Sequence, residues 1–346
     1  MDVLLTGGNG FVGHHVVEAL LDRGDRVRVL ALPGEDVSWL EARAVAVHRG
    51  DVCHPETLTA PMEGADAVLH LAAMMHVWRP LRDYLAVNLT GTENVCRAAL
   101  GAGVRRLVHM SSSSVYGTAI DATVDERFPL APFDDPYPVS KAAGDELVQR
   151  MTAQEGLPAA IIRPDQIFGP GDRLHFGQTV ERLRAGRAIV VGRGDNRIPL
   201  VYVSDLVQGM LLALDHERAV GQAYNITNDA PLTQLEFLQA IADEIGAKPP
   251  RIHVPYLALY AAAAAAERLI SVTRTSRRPP VTRLGVAFTG SDVRYSMEKA
   301  ASELGYRPRV SLRDGVRRTV AWHLAENAAR SSASAGNAAH QPTSGG

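Results

Sequence analysis

Tyr137 and Lys141 stand four residues apart in Tyr137-Pro138-Val139-Ser140-Lys141, and on a helix that spacing sets a phenol and an ammonium on one face. A cation beside a phenol favours the phenolate, so the pair predicts a tyrosine whose pKa moves from its usual value of about 10 toward working pH. Such a phenol exchanges a proton with a substrate hydroxyl or carbonyl. A serine run, Ser111-Ser112-Ser113-Ser114, comes earlier in the chain, and one of its hydroxyls would hydrogen-bond the same oxygen as negative charge develops there. Alone, the Tyr-Lys spacing equally describes the start of a surface helix. Its meaning depends on what surrounds it.

The opening stretch, Asp2 to Gly13, reads DVLLTGGNGFVG. Val3, Leu4 and Leu5 form an apolar run too short for a helix, ended by glycines before a helical pattern from Phe11 to Arg23. A second strand follows at Arg26 to Ala31. Gly7 and Gly10 let the turn bring main-chain N–H groups up to a diphosphate at the helix N-terminus, and Gly13 lets the helix lie close to the strand. Gly8-Asn9-Gly10-Phe11-Val12-Gly13 matches G-x-G-x-x-G, and here it sits where a dinucleotide-binding turn belongs, between a strand and a helix.

Further strands are expected at Ala44 to His48, Ala67 to Leu71, Leu107 to Ser111 and Ala159 to Arg163. Helices are expected near Pro55 to Met62, Leu81 to Ala102 and Pro138 to Gln154. The alternation implies an α/β fold, a doubly wound parallel sheet covered on both faces. Ligands of such a sheet bind beyond the C-terminal ends of its strands, which draws attention to Asp51-Val52, to His70-Leu71-Ala72-Ala73 and to Ser111 through Gly117. A dinucleotide-binding region is expected over residues 1–172 with a returning segment at 199–228. Residues 173–198 and 229–325 are left to shape a smaller, mostly helical substrate region, where Val201 to Val203 and Tyr224 to Ile226 read as short strands. Tyr256 to Ile270, with six consecutive alanines, is too short to cross a bilayer and reads as a buried helix. Arg274, Arg277, Arg278 and Arg283 read as a solvated loop or as a diphosphate subsite. His76 and Trp78 are equally loop packing or pocket wall. The segment from Glu326 to Gly346 has hardly any large apolar residues and is expected to be disordered.

Composition bounds the rest. With 346 residues, 46% of them hydrophobic, the chain can bury a large core. A net charge of −2 gives no electrostatic footprint for nucleic acid, and stable membrane insertion is not expected. Two cysteines, Cys53 and Cys96, supply neither a disulfide framework nor a zinc site, so no metal is expected. The first strand begins at once, leaving no room for a signal peptide, and a cytoplasmic location is expected.

Taken together, TGGNGFVG at Thr6 to Gly13, Asp51-Val52, HLAA at His70 to Ala73, NLTGT at Asn88 to Thr92, SSSSVYG at Ser111 to Gly117, YPVSK at Tyr137 to Lys141 and RPDQIFGPGD at Arg163 to Asp172 resemble the extended short-chain dehydrogenase/reductase family, in that family's order. The resemblance reaches to about residue 325. It implies a Rossmann domain that binds NAD or NADP through Gly7, Gly10, Phe11, Val12 and Gly13. Asp51 and Val52 would lie at the adenine, Leu71, Ala72, Ala73 and Asn88 would line the cofactor, and Pro164 would lie beside the nicotinamide. It implies Tyr137 as proton donor or acceptor, Lys141 on the ribose and Ser112 as the catalytic serine, with Ser113 as second choice. The second strand ends in Ala31-Leu32-Pro33-Gly34, with neither the acid usual for NAD nor the arginine usual for NADP, so preference stays open. Ser113 and Ser114 replace the Asp-Glu pair of sugar-nucleotide dehydratases, and Ile198-Pro199 replaces an Arg-Asp common in epimerases. Ala72 to Thr92, with Trp78, looks like the 3β-hydroxysteroid dehydrogenase-like branch. The expected activity is interconversion of a secondary alcohol and a ketone on a small or medium substrate. A sugar-nucleotide epimerase and a non-catalytic cofactor-binding module are the alternatives, and homodimerisation is left open.

Overall fold

Seven strands form one parallel sheet in the spatial order Ala223–Ile226, Ala159–Pro164, Arg106–Met110, Ala67–His70, Asp2–Thr6, Arg26–Ala31 and Ala46–Arg49. This computed structural model describes residues 1–118, 120, 122–273 and 279–338. The strands read as near-continuous apolar runs because both faces are covered. Val3 and Leu5 point to one side, where they meet Val16, Val17 and Leu20 of the helix Phe11–Asp22 and Met210 of the helix Val203–Asp215. Leu4 points to the other, into a core with Val95 and Cys96 of the helix Thr92–Ala102 and Val148 and Met151 of the helix Pro136–Glu155. Strand order reverses between Asp2–Thr6 and Ala67–His70, and that switch leaves a crevice beyond their C-terminal ends.

A second core lies in the later part of the chain. Phe168, Phe176, Tyr202 and Phe237 pack ring to ring with centroids 5.5 to 6.0 Å apart, joined by Val316 and Val320 of the helix Leu312–Ala338. The helix Gln234–Glu244 that carries Phe237 starts at a capping box. The Glu236 amide donates to the Thr233 hydroxyl at 3.1 Å, and the Thr233 amide donates to the Glu236 carboxylate at 2.9 Å.

Three expectations need correcting. The helix expected over Leu81 to Ala102 is interrupted at Ala86–Gly91 by a wider π-type turn. The crowding there is close: a Cβ on Gly91 would lie 2.8 Å from a Val52 methyl, and one on Gly144 would lie 2.4 Å from the Asn88 carbonyl oxygen. The alanine-rich helix, Tyr256–Thr273, is not buried. It packs along one side only, through Tyr260 and Ala263 against Val286, and leaves Leu257 79% and Leu269 65% exposed. No described helix is long and apolar enough to cross a membrane. Finally, the helix Leu312–Ala338 carries the expected disordered segment in helical form as far as Ala338, with residues 339–346 outside the described part. Alanine-rich sequence favours helix, and two contacts hold its body: Glu326 pairs with Arg173, and Glu181 meets the His323 ring at 3.0 Å. Of the arginine cluster, Arg274, Arg277 and Arg278 lie outside the described residues, while Arg283 is paired with Glu267 at 2.6 Å.

Candidate active site

The glycine turn builds one end of the crevice from main chain. Gly7 adopts φ +73°, and a Cβ there would lie 2.8 Å from the Ala72 nitrogen; a Cβ on Gly13 would lie 2.3 Å from the Gly7 oxygen. Both glycines are there because neighbouring backbone fills the space. Gly10 differs, since an added Cβ meets only the Gly7 oxygen at 3.3 Å and otherwise faces the crevice. It caps the helix Phe11–Asp22 without a side-chain partner, and the first helical bond runs from the His14 amide to the Gly10 carbonyl at 3.0 Å. The amides of Phe11, Val12 and Gly13 therefore keep their donors for a ligand at a bare helix start. That cradle fits a dinucleotide diphosphate. Leu71, buried, and Ala72 and Ala73, partly exposed, form the opposite lip.

On the adenosine side the structure replaces the missing acid with a tied loop. Arg49 donates to the carbonyls of Leu32 at 3.1 Å and Glu35 at 2.8 Å, and the Glu35 carboxylate turns back to accept the Leu32 amide at 3.1 Å. Asn9, inside the glycine turn, donates to the Asp36 carbonyl at 2.9 Å and accepts from the Trp39 indole at 2.5 Å. The His14 ring stacks on Trp39 at 3.6 Å. Asp51, half-buried, accepts the Cys53 amide at 2.9 Å, while Val52 is buried beneath it.

A buried relay joins the two lips. The Ala72 amide donates to the Thr6 hydroxyl oxygen at 3.2 Å, and Thr6 lies 2.7 Å from Nδ1 of His70. Nε2 of His70 lies 3.0 Å from the Thr92 hydroxyl, which itself donates to the Asn88 carbonyl at 2.8 Å. Because Thr92 spends its proton on Asn88, it accepts from His70, so the ring carries its proton on Nε2 and accepts from Thr6 at Nδ1. Burial holds His70 neutral, with its pKa pushed down to about 3. The His of HLAA is thus a tie between the first strand and the helix Thr92–Ala102. Periodicity carried no sign of this role.

The other end is built from side chains. Asp135 accepts the Tyr137 amide at 3.0 Å and starts the helix Pro136–Glu155, which places Tyr137 and Lys141 one turn apart on the face toward the serine turn. Ser112 accepts the Ser114 amide at 3.1 Å, which leaves its own proton to donate, and it begins the turn against which the helix of Tyr137 packs. Ser113 is buried in the same turn, where its carbonyl accepts from the Tyr295 hydroxyl at 3.4 Å. Lys141, 3% exposed, donates to the Met110 carbonyl at 2.6 Å, and burial lowers its pKa to about 8. The expected lowering of the tyrosine pKa by that lysine is not what the structure shows. Burial raises the Tyr137 pKa above its usual value, and the Lys141 ammonium is turned to a carbonyl instead of the phenol.

Asn88 acts one layer back. Its amide accepts the Met74 N–H at 2.7 Å and donates to the Met74 carbonyl at 3.0 Å and to Ser140 at 2.9 Å, so it shapes the lip loop. Pro164 ends its strand, buried, between two anchoring residues. Before it, Arg163 is 2% exposed and grips Asp145 of the Tyr137 helix through two bonds of 2.9 and 2.8 Å, with a third to the Tyr116 hydroxyl at 2.7 Å. Tyr116 in turn donates to Asn225 at 2.8 Å.

One histidine stands over the Tyr137 ring, and a second meets the first. The His76 ring lies 6.4 Å from that of Tyr137 and 4.4 Å from that of His175, and His76 holds φ +59°, a conformation rare for a residue with a side chain. Tyr84 fixes the loop by donating to the Val77 carbonyl at 2.6 Å, and Trp78 sits in the same loop, half-buried. His175 comes from the chain before Phe176–Arg184, whose start is set by Asp172 accepting the His175 amide at 2.9 Å. No local sequence signal marked His175, because only the fold brings it to this cleft.

Comparison with known proteins agrees with this architecture. The model of the NAD dependent epimerase/dehydratase family matches residues 3–227. The chain is 32% identical to a 2-alkyl-3-oxoalkanoate reductase of Stenotrophomonas maltophilia, over 93% of this chain and 99% of that protein. It is 31% identical to the decarboxylating sterol-4-alpha-carboxylate 3-dehydrogenase of Mus musculus, over 91% and 88%. Among solved structures it superimposes on DesIV, a dTDP-glucose 4,6-dehydratase of Streptomyces venezuelae with NAD bound, with a TM-score of 0.77 and 28% identity, covering 95% of this chain and 98% of that one. The crevice between a glycine turn and a Tyr-Lys helix is therefore one of a known kind: this chain belongs to the NAD dependent epimerase/dehydratase family, among the extended short-chain dehydrogenases/reductases.

Proposed function

We propose that the chain is an NAD(P)-dependent oxidoreductase interconverting a secondary alcohol and a ketone, with Tyr137 moving the proton, Ser112 holding the substrate oxygen and Lys141 supporting both. The observation that carries this is Tyr137 and Lys141 one turn apart at the start of the helix Pro136–Glu155, which packs against the serine turn that begins at Ser112. When bound, the nicotinamide supplies or accepts the hydride. Burial keeps the phenol in its neutral form, which is the proton donor that ketone reduction needs; in the alcohol-oxidising direction the same oxygen accepts. The Ser112 proton, freed by the Ser114 amide, stabilises charge on the carbonyl oxygen. Residues 1–172 and 199–228 bind the cofactor in this reading, and 173–198 with 229–325 shape the substrate side, as the second aromatic core suggests.

The substrate is a ketone or alcohol of the kinds named for the relatives, a 3-oxoalkanoate or a 3-hydroxysterol-like ring. The test is a panel in which the purified protein meets NADH or NADPH with 2-alkyl-3-oxoalkanoates and 3-ketosteroids, and NAD with UDP-sugars. Net cofactor oxidation with a ketone supports the reading. Interconversion of UDP-sugars with tightly retained cofactor and no net turnover overturns it in favour of an epimerase.

A further inference from the structure

The helix Phe176–Arg184 ends in a way that brings two like charges together. Gly186, at φ +63°, folds the chain back, so that its amide donates to the Leu183 carbonyl at 3.0 Å and the Arg187 amide donates to the Arg182 carbonyl at 2.8 Å. In a helix end of this kind the first and last residues of the closed turn commonly touch through apolar side chains. Here those two residues are Arg182 and Arg187, both exposed, and neither guanidinium has an acidic partner among the described residues. Both line a cavity of 510 Å³ between this helix and the helix Leu312–Ala338. Arg173 and Arg330 line it as well, and both are spent on one carboxylate: Arg173 donates to Glu326 at 2.9 Å, and Arg330 donates to it at 3.1 Å. Glu181, the other carboxylate of the cavity, meets the His323 ring at 3.0 Å. The cavity thus has four guanidinium groups against two carboxylates. It shares no residue with the glycine turn or with the group around Tyr137.

We propose that this cavity is a binding site for a phosphate dianion, free or as the head group of a phosphorylated small molecule. The excess of two guanidinium groups over carboxylates matches a phosphate monoester, which carries about −1.5 to −2 charges at neutral pH. Guanidinium forks meet phosphate oxygens with paired N–H donors, so arginine suits this ligand better than a point charge does. Like charges on one turn repel, and an anion between Arg182 and Arg187 converts that repulsion into charge-assisted hydrogen bonds. The volume admits more than a head group, since small-molecule sites run from about 300 to 1,000 Å³. Glu326 is the competitor within the chain, because its carboxylate takes two guanidinium groups that phosphate would otherwise engage.

The test is calorimetry on the full chain at constant ionic strength, with NAD saturating so that the glycine turn is filled, and with inorganic phosphate and phenyl phosphate as probes. Saturable binding at one site per chain is expected. Arg182→Gln combined with Arg187→Gln should weaken it at least about tenfold. Arg150→Gln combined with Arg251→Gln removes the same charge from exposed positions outside the cavity and should leave the affinity within about twofold. Glu326→Gln should tighten binding, a gain that loss of structure does not produce. Tighter binding of phenyl phosphate than of inorganic phosphate identifies a phosphorylated small molecule as the ligand, and the reverse order identifies the free ion. No saturable binding of either probe at millimolar concentration, or equal weakening in the two double variants, overturns the proposal.

Discussion

The two ends of the crevice are built from different materials. At the glycine end the working groups are main-chain amides; Gly7 and Gly13 must lack a side chain because backbone fills their space, and Gly10 leaves the turn open. At the Tyr137 end the groups are side chains, gathered from a serine turn, a helix start, a lip loop and the loop before Phe176–Arg184. The first end fails when an atom is added. The second fails when an atom is removed, or when the scaffold that aims it gives way. Substitutions that add or subtract therefore separate binding from chemistry.

The largest effect belongs to subtraction at the reacting oxygen. Tyr137→Phe keeps the ring and loses the hydroxyl, and kcat should fall by roughly two to four orders of magnitude with NAD affinity nearly unchanged by calorimetry. Near-normal turnover would mean that the two ends do not divide the work this way. Arg163→Met strikes the scaffold instead. It leaves Asp145 as an uncompensated buried charge, and denaturant unfolding should show a loss of about 3–5 kcal/mol. A loss confined to turnover would show that the clamp serves only geometry. Addition at the glycine end is tested by Gly10→Val, whose side chain extends into the open side of the turn. Binding of NAD should weaken by at least about tenfold, or about 1.4 kcal/mol, in a protein that melts near wild type. Unchanged affinity would remove the cradle assignment. Smaller again is the contrast between the serines: Ser112→Ala should lower kcat more than Ser113→Ala, since Ser112 keeps its proton to donate while Ser113 is buried in the turn. The reverse order would shift the catalytic register by one residue. Smallest is the choice of cofactor. Glu35 is folded back on its own loop and Arg49 is held by carbonyls, so the two affinities should differ by less than about a hundredfold, or about 2.7 kcal/mol. A larger ratio in paired titrations of NADH and NADPH would show that one of these side chains reaches the ribose.

How much was legible in the sequence follows the same division. A backbone site leaves its mark as glycines in a row between strand and helix; Gly7 and Gly13 have a steric reason in the structure, while Gly10 has an open side. The parallel sheet was legible because buried strands read as short apolar runs, as Val68-Leu69 and Leu107-Val108 do. Tyr137 and Lys141 were legible from helical spacing, but their electrostatics were not: whether a lysine charges a phenol depends on where its ammonium turns, and here it turns to Met110. His175 reaches the site through a long-range ring contact with His76 that no local pattern encodes. The alanine helix misled for a related reason, since composition does not say whether a neighbour is present to cover its second side.

The Arg163–Asp145 clamp also has a consequence in time. It ties the middle of the helix Pro136–Glu155 to a buried strand of the sheet, so that helix cannot open without separating a desolvated ion pair. Its amide protons must then exchange with solvent by nearly complete unfolding, whereas those of Tyr256–Thr273, packed on one side only, exchange through local openings. The Tyr137 phenol is carried by one of the slowest clocks in the molecule, and the leucine-studded helix Tyr256–Thr273 by one of the fastest.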